Sequence, residues 1–477
     1  MCYNTFVFST IYWRLRPRDA GWNMRVLVIG DGKVGHTLVE HLTREGHDVV
    51  IVDNKDEVLE RTQDTLDVLC IHGNGANAQT LIDAGAKKTD VIVAATASDE
   101  TNMLCCLIAK RLGAKYSIAR IRDPEYNESL SMLRHELDID MAINPERATA
   151  AEISRLMRFP FATNVESLAR GRVEVVAFRV AEGDPIVGLP LRDLSRVHKN
   201  IPQVLYALVE REGEVHIPYG DFCVRPGDRV HVAGDAVTIT NYFRFLGRTD
   251  VRIRDVMLLG GGRISYYLAK IIAPMGIHVN MIEIDAQKAQ ILSEALPEVN
   301  VIYGDGTDQE LLEQEGLKQM DAFVTLCNRD EENLMTGLFA VRQGVKKVIV
   351  KNNRVAYADI ISSLGLDSVV SPRSITCANI LRYVRARANR QGTTVEKLHR
   401  LVGGKAEALE FTARATDRYI GIPLKDLHMR PNTLVAVIVR QGQVIVPFGN
   451  DHIEAGDTVI IIACESGISD LNEVIRK

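Results

Sequence analysis

The chain has 477 residues, of which 46% are hydrophobic and 25% charged, a composition ordinary for a globular protein with several buried cores. Its 57 Lys and Arg residues nearly balance 62 Asp and Glu residues, and the net charge of -5 argues against a polybasic nucleic-acid surface. No apolar run approaches the ~18 residues that span a bilayer, and the eight cysteines form no C-x-x-C pair. We therefore expect no membrane-spanning helix, no disulfide framework and no metal site, and a reducing cytoplasm fits best.

Residues 1–23 differ from the rest of the chain. The apolar stretch Phe6–Trp13 precedes Arg14, Arg16 and Arg18, whereas a secretory signal has its positive charges first. We interpret this segment as a disordered extension that follows an upstream start codon. The functional chain is expected to begin at Met24.

From Met24 onward the sequence repeats itself with an offset of about 230 residues. In each copy an apolar strand runs into a glycine turn, and the next apolar strand ends in an acid, Asp53 or Glu283. The turn reads Gly30-Asp31-Gly32-Lys33-Val34-Gly35 in the first copy and Gly260-Gly261-Gly262-Arg263-Ile264-Ser265 in the second. A glycine turn between strand and helix, followed by an acid at the end of the next strand, is a specific signal for a dinucleotide-type fold.

Further along each copy, strands continue to alternate with helical segments, which predicts right-handed βαβ units and a parallel sheet. Asn77 and Asp308 are predicted helix N-caps after the turns Gly73-Asn74-Gly75 and Gly304-Asp305-Gly306. Asn144-Pro145 and Ser371-Pro372 are predicted to start a last helix in each copy. We call this part of each copy the A module.

The carboxyl part of each copy has short alternating apolar runs interrupted by Gly or Pro, which predicts a compact, strand-rich B module. At roughly 150 residues per domain, the chain length is compatible with three or four domains. The repeat favours four, in the order A-B-A-B. The predicted boundaries are 24–160 and 161–250 for the first A and B modules, and 251–385 and 386–477 for the second pair.

The glycine turns suggest phosphate binding. Gly30 and Gly260 suit the tight turn, Gly32 and Gly262 allow a diphosphate to approach the backbone, and Gly35 allows close helix packing. Asp53 and Glu283 would accept hydrogen bonds from ribose hydroxyls, and their charge disfavours a 2′-phosphate and hence NADP. The alternative is that the glycines only form turns and the acids only end strands.

Two further pairs of repeat-related positions could line such a site. Asn74 and Asp305 follow the third strand, at the carboxyl edge where ligands of this fold lie. Arg120 and Lys351 end a later strand, where a cation could meet a phosphate or could instead form a surface salt bridge.

A catalytic constellation is missing. Thr96 and Cys327 end the fourth strand of the two copies, and neither is a convincing acid or base for hydride chemistry. The histidines of the first half, including His36 and His72, have no counterpart at the matching positions. Binding without chemistry is the simpler interpretation. The alternatives are an NAD-dependent oxidoreductase with a duplicated Rossmann domain and a scaffold with vestigial sites.

These motifs resemble the RCK (KTN) family, whose members are cytosolic regulators that gate potassium channels and transporters. The resemblance rests on the first glycine turn with Asp53, on Ala94–Asn102, on Ile118–Arg122, on their second-half copies and on the B modules, and it covers residues 24–477. The tandem A-B-A-B order points to the Trk-type members in particular.

The resemblance implies an α/β fold in which two Rossmann-like, doubly wound parallel-sheet RCK-N domains are each followed by a small α+β RCK-C domain. It further implies a gating subunit that is not an enzyme and that assembles as a homo-oligomeric ring against a Trk-type potassium-translocating membrane subunit. Such a protein would be cytoplasmic and peripheral on the inner face of the cell membrane. The implied cofactor is NAD(H), with ATP or ADP possible at the same sites.

The implied ligand contacts follow position by position. In the first site they are Gly30, Asp31, Gly32, Lys33, Val34, Asp53, Asn74, Ala95, Thr96 and Arg120. In the second site they are Gly260, Gly261, Gly262, Arg263, Ile264, Glu283, Asp305, Cys327 and Lys351. Ser265 in place of glycine and Lys351 in place of arginine leave the ligand of the second site open.

Overall fold

A computed structural model describes residues 23–248, 253–353, 364, 366, 368–388, 395–464, 468 and 471–476. The interpretation of the amino-terminal extension concerns residues that, except for residue 23, lie outside these ranges.

The first A module is a six-stranded sheet in the order β3-β2-β1-β4-β5-β6, and every neighbouring pair is parallel. Its strands are β1 Arg25–Ile29, β2 Asp48–Asp53, β3 Leu69–His72, β4 Val91–Ala94, β5 Tyr116–Arg120 and β6 Met141–Ile143. Its helices are α1 Lys33–Arg44, α2 Asp56–Thr65, α3 Ala78–Asp83, α4 Asp99–Leu112, α5 Pro124–Glu128, α6 Leu130–Glu136 and α7 Pro145–Arg158. Strand order reverses between β1 and β4, and at such a switch point the carboxyl ends of the strands open a crevice.

The first B module is a five-stranded antiparallel sheet in the order β10-β9-β11-β8-β7. Its strands are β7 Asn164–Leu168, β8 Val173–Arg179, β9 Leu205–Arg211, β10 Glu214–His216 and β11 Arg229–Gly234, and its helices are α8 Leu194–Val197 and α9 Ala236–Phe245.

The second A module repeats the first, with the parallel strand order β14-β13-β12-β15-β16-β17. Its strands are β12 Asp255–Leu259, β13 His278–Glu283, β14 Val299–Tyr303, β15 Ala322–Thr325, β16 Lys347–Lys351 and β17 Ser368–Val370. Its helices are α10 Arg263–Ile272, α11 Ala286–Ala295, α12 Gln309–Gln314, α13 Asp330–Arg342 and α14 Pro372–Ala388.

The second B module has a five-stranded antiparallel sheet in the order β18-β19-β23-β21-β22, and a small pair, β20 with β24. Its strands are β18 Val395–Leu401, β19 Ala406–Thr412, β20 His428–Met429, β21 Thr433–Arg440, β22 Gln443–Ile445, β23 Thr458–Ala463 and β24 Ile475–Arg476, and its helix is α15 Leu471–Val474. The predicted fold class is thereby confirmed, whereas the boundaries assigned to the modules stay predictions.

The last helix of each A module packs on the other A module. Ile153 and Met157 of α7 share a core with Leu268 of α10, and Ile380 of α14 shares one with Leu38 of α1. Both helices start where the sequence predicted, at Pro145 and Pro372. Because each helix is buried against the opposite copy, the two halves interlock.

The B sheets pack face to face. Val175 and Leu208 of the first sheet lie in one apolar cluster with Ala408 and Ile460 of the second. Among the helices that the structure describes, none combines the length and the apolar character that a membrane-spanning segment requires.

Candidate functional site

The two glycine turns have the conformation that the sequence predicted. Gly30 has a φ of 98° and Gly260 a φ of 93°, values that disfavour any residue with a side chain. Their amides donate to the carbonyls of Val52 and Ile282 at 2.8 Å, so each turn is anchored to the second strand of its sheet.

The third position of the turn distinguishes the copies. A Cβ on Gly35 would lie 1.9 Å from the carbonyl oxygen of Gly30, so α1 packs against its own turn too closely for any side chain. In the second copy Ser265 fits, and its hydroxyl donates to the carbonyl of Gly260. The second turn is also less tightly packed on the end of its fourth strand, because a Cβ on Gly260 would be 3.4 Å from the amide nitrogen of Cys327, whereas a Cβ on Gly30 would be 3.0 Å from that of Thr96.

The acids at the ends of β2 and β13 hold the turns. Asp53 accepts hydrogen bonds from the amides of Asp31 at 2.7 Å and Lys55 at 3.0 Å. Glu283 accepts from the amides of Gly261 at 2.8 Å and Asp285 at 3.0 Å, and it is also ion-paired with Lys288 at 2.8 Å. Burial alone would raise the pKa of Glu283, but the hydrogen bonds from Lys288 and from the backbone amides lower it. The carboxylate of Glu283 therefore has more hydrogen-bond and ion-pair partners than that of Asp53.

The helices that follow the turns begin without a side-chain cap. Gly32 and Gly262 are the N-cap residues of α1 and α10, whereas α3, α4 and α7 are capped by Asn77, Ser98 and Asn144. A Cβ added to Gly32 or to Gly262 would meet nothing within 4 Å. The first amides of both helices therefore face open space, an arrangement that suits a phosphate.

Asp31 does not face this space. Its side chain is buried, accepts a hydrogen bond from the hydroxyl of Thr62 at 2.5 Å, and has its pKa raised by burial. In the second copy the equivalent positions are Gly261 and Leu292, which lie against each other. Asp31 was predicted as a ligand contact, but only its backbone borders the glycine turn, because its side chain points into the protein.

A buried asparagine joins the ends of two strands in each copy, and sequence reasoning did not select it. Asn102 accepts from the amide of Thr96 at 2.8 Å and donates to the carbonyl of Arg120 at 2.9 Å. Asn333 makes the same pair of bonds to Cys327 and Lys351, at 2.8 and 3.1 Å. Identical residues at equivalent positions of the repeat were the signal that could have identified them.

Arg120 and Lys351 lie under the carboxyl edge of their sheets. Lys351 is 6% exposed and donates to the carbonyl of Leu326 at 3.2 Å. The buried Nε of Arg120 has no hydrogen-bond partner among the described residues. Burial lowers the pKa of both cations. Neither is the exposed surface salt bridge that the sequence left as an alternative.

The two sites belong to A modules that contact each other near the start of α7. Arg263 of the second turn lies 3.8 Å from Asp123 of the first module, and the Asn144 side chain donates to the hydroxyl of Tyr267 in α10 at 3.0 Å. Glu146, in the first turn of α7, acts on both Arg120 and Lys351, and its Oε2 is buried without a hydrogen-bond partner. The repeat could not reveal Glu146, because Arg373 occupies the equivalent place in α14.

The remaining predicted contacts line the same edges. Asn74 and Asp305 are exposed and cap their own turns, accepting from the amides of Ala76 and Thr307 at 2.9 Å each. Ala95 is buried, with its amide on the carbonyl of Ile29 at 2.8 Å.

The side chains beside these edges are poor proton donors and acceptors. The hydroxyl of Thr96 donates to Asn102 at 2.7 Å, and burial raises the pKa of the Cys327 thiol to about 11. No group of three His, Cys, Asp or Glu side chains within the described ranges is arranged to hold a metal ion.

The fold and these sites define a tandem Rossmann-like protein with two glycine-turn sites on one shared interface. Profiles of the TrkA-N domain match residues 26–145 and 256–372, and a profile of the TrkA-C domain matches residues 408–476. The Trk system potassium uptake protein TrkA of Vibrio alginolyticus is 34% identical over 462 residues, which cover 95% of this chain and 99% of that protein. A TrkA homolog 1 of Methanosarcina mazei is 32% identical over 95% of this chain and 100% of its own length. This chain therefore belongs to the TrkA family.

Solved structures support the same fold. The GsuK RCK domain superposes with a TM-score of 0.60 at 18% identity, covering 95% of this chain and 96% of that one. A GsuK channel bound to NAD gives a TM-score of 0.61 at 17% identity, over 96% of this chain and 81% of the channel chain. At this level of identity the likeness concerns the fold.

Proposed function

We propose that this chain is the nucleotide-binding regulatory subunit of a Trk-type potassium uptake system. In this role it gates a potassium-translocating membrane subunit from the cytoplasmic side, as part of a homo-oligomeric ring. The family relationship supports the transport system. The observation that carries the regulatory role is that the two glycine-turn sites belong to A modules whose last helices each pack on the other module, with Arg263 of the second turn 3.8 Å from Asp123 of the first module.

The proposed ligand is NAD(H), with ATP or ADP as alternatives at the same sites. The uncapped amides of α1 and α10 and the open space at Gly32 and Gly262 suit phosphate groups. Asp53 and Glu283 end their strands where ribose hydroxyls would lie. The bound nucleotide supplies negative charge and a rigid bridge between elements, while the protein supplies the donors and the cations.

The second site differs from the first at its ribose edge. Lys288 pairs with Glu283, whereas the equivalent residue in the first copy is Val58. Glu283 therefore has fewer free lone pairs for ribose hydroxyls than Asp53, which accepts hydrogen bonds from two backbone amides. We expect the first site to bind adenine nucleotides more tightly.

Coupling between the sites follows from their shared charges. Glu146 stabilises Arg120 in one copy and Lys351 in the other. An anion bound at either turn adds negative charge near the cations that the Glu146 carboxylate stabilises. Binding at one site therefore alters the affinity of the other. A ligand that prefers one arrangement of the interlocked halves shifts the population toward it by its differential affinity.

The arrangement supports binding without catalysis. Hydride transfer needs a proton donor or acceptor beside the nicotinamide. The side chains at the matching edges are the hydrogen-bonded hydroxyl of Thr96 and the thiol of Cys327, whose pKa is about 11.

Isothermal titration calorimetry with NAD, NADH, ATP and ADP tests ligand binding. The matched variants are Asp53→Asn and Glu283→Gln, because each keeps a side-chain oxygen for the turn amide and removes the charge. We expect Asp53→Asn to remove the tighter binding event and Glu283→Gln to remove the weaker one. Wild-type protein that binds none of the four nucleotides contradicts the proposal.

Co-purification tests the partner separately. Co-expression with the potassium-translocating subunit of the same system should give a complex that survives mild detergent, and nucleotide should change its ion flux in vesicles. If none of the nucleotides changes the ion flux of the complex, the regulatory role is contradicted even if nucleotide binding is intact.

A further inference from the structure

A cavity lies in one of the two joints between the interlocked halves, remote from the glycine turns. It occupies about 630 Å³ where the end of α7 meets the start of β12 and the end of α10. This volume is within the range of small-molecule sites. Its lining combines apolar and cationic side chains: Met157, Ile253, Ile272, Met275 and Ile277 with Arg155, Arg158 and Arg254.

The equivalent joint in the other half is filled. There α14 meets the end of α1, and Arg385, the counterpart of Arg158, forms a buried ion pair with Glu45, whose Oε2 accepts from its Nε at 2.9 Å. Met24, Leu42 and Val384 occupy the positions of Arg254, Ile272 and Met157. Ile272 and Met157 are as buried as their counterparts, so the apolar packing of the two joints differs at Met24, which is 8% exposed whereas Arg254 is exposed.

Two substitutions between the copies therefore account for the open joint. Met275 replaces Glu45, so Arg158 has no carboxylate on α10 and instead pairs with Glu174 at 3.0 Å. Arg254 replaces the buried Met24, and its exposed side chain leaves the apolar space that the methionine fills in the other joint.

Three arginines line the cavity, and two of them have exposed side chains. Arg155 pairs with Glu152 and Arg158 with Glu174, but the Arg158 side chain is still 52% exposed and can reach a second anion. The backbone amide of Arg254 is bonded to Asp321 at 2.8 Å, and its guanidinium lies at the surface. Three arginines thus lie near three carboxylates, those of Glu152, Glu174 and Asp321, and the accessible apolar side chains beside them are Met275 and Ile277.

We infer that this cavity binds an amphiphilic organic anion, with its acidic group on Arg158 and Arg254 and its apolar body against Met275 and Ile277, which follow α10. The shared chemistry is a carboxylate or phosphate on a hydrocarbon chain, either free or part of a membrane lipid. A bound molecule bridges α7 of the first half and the second A module, so it stiffens a joint that the other half closes with its own ion pair. This site is independent of the nucleotide sites.

The probe is 1-anilinonaphthalene-8-sulfonate, an apolar body with one anionic group, titrated by fluorescence into the full chain with saturating ADP. The neutral analogue N-phenyl-1-naphthylamine is the matched probe. Met275→Glu and Arg254→Met install the residues of the closed joint, and both positions are exposed, so the fold should tolerate them. Met335→Glu, on α13, is the control because Met335 is 69% exposed and outside the cavity.

We expect one saturable site in the wild type, about tenfold weaker in Met275→Glu and in Arg254→Met and unchanged in Met335→Glu. The neutral analogue should bind the wild type at least about tenfold more weakly than the anionic probe does. Displacement by dodecanoate or dodecyl phosphate identifies a free organic anion, and displacement only by phosphatidylglycerol vesicles identifies a lipid source. The inference is overturned if the probe does not saturate, if both joint variants bind as the wild type does, if the neutral analogue binds equally well, or if neither competitor displaces the probe.

Discussion

Exchanging the third residue of the glycine turns between the copies tests how closely the first turn is fitted to its helix. In Gly35→Ser the new Cβ would start 1.9 Å from the carbonyl oxygen of Gly30, whereas contacts below 3.0 Å are essentially never seen for a Cβ. The atom in the way is a backbone carbonyl oxygen, so the turn or the start of α1 must shift to accommodate the serine side chain. Overpacking of this kind costs about 1–3 kcal/mol.

The displaced turn should weaken nucleotide binding at the first site by about tenfold, or about 1.4 kcal/mol. Calorimetry with ADP measures the affinity, and thermal unfolding measures the stability. The reciprocal variant Ser265→Gly is the control: it removes the hydroxyl that donates to the carbonyl of Gly260 and relieves the second turn, so first-site binding should not change. If Gly35→Ser binds ADP and unfolds as the wild type does, the steric argument is refuted.

Three other outcomes follow from buried polar contacts. Replacing Arg385 by Gln removes the guanidinium that pairs with Glu45 but leaves the His47 contact at 3.9 Å, so it should lower the free energy of unfolding in urea by about 1.5–3 kcal/mol, and a loss below about 1 kcal/mol would contradict the contribution of this ion pair. Asn102, which is 0% exposed, bonds three backbone groups: the amide and carbonyl of Thr96 and the carbonyl of Arg120. Asn102→Ala should therefore cost about 1–3 kcal/mol for each group that loses its partner and remove first-site binding, whereas Asn333→Ala should leave first-site binding unchanged. Burial alone would raise the pKa of Glu410, but hydrogen bonds from His399 and from the backbone lower it from 4.5 to about 2, which corresponds to about 3 kcal/mol. This stability is present above pH 4.5 and is lost as the pH falls toward 2. In Glu410→Gln, the free energy of unfolding should therefore depend less steeply on pH across that interval.

Much of the fold and part of the site could be predicted from local sequence. The conformation of Gly30 and Gly260 and the starts of α7 and α14 at prolines depend on residues close in sequence, and the structure agrees with them. The ligand roles of these turns stay predictions. Asp31 belongs to a polar contact with Thr62, thirty-one residues away, and no local pattern indicates that its side chain turns inward.

The sequence by itself determined the repeat, the alternation of strands and helices, and the turns with their following acids, because these depend on periodicity and on the conformational range of single residues. Only the tertiary structure decided that α7 packs on α10 and α14 on α1, and that Oε2 of Glu146 is buried without a hydrogen-bond partner among the described residues. It also decided that one joint is filled and the other open. These features depend on pairs such as Glu45 and Arg385, 340 residues apart, whose meeting follows from the packing of whole modules.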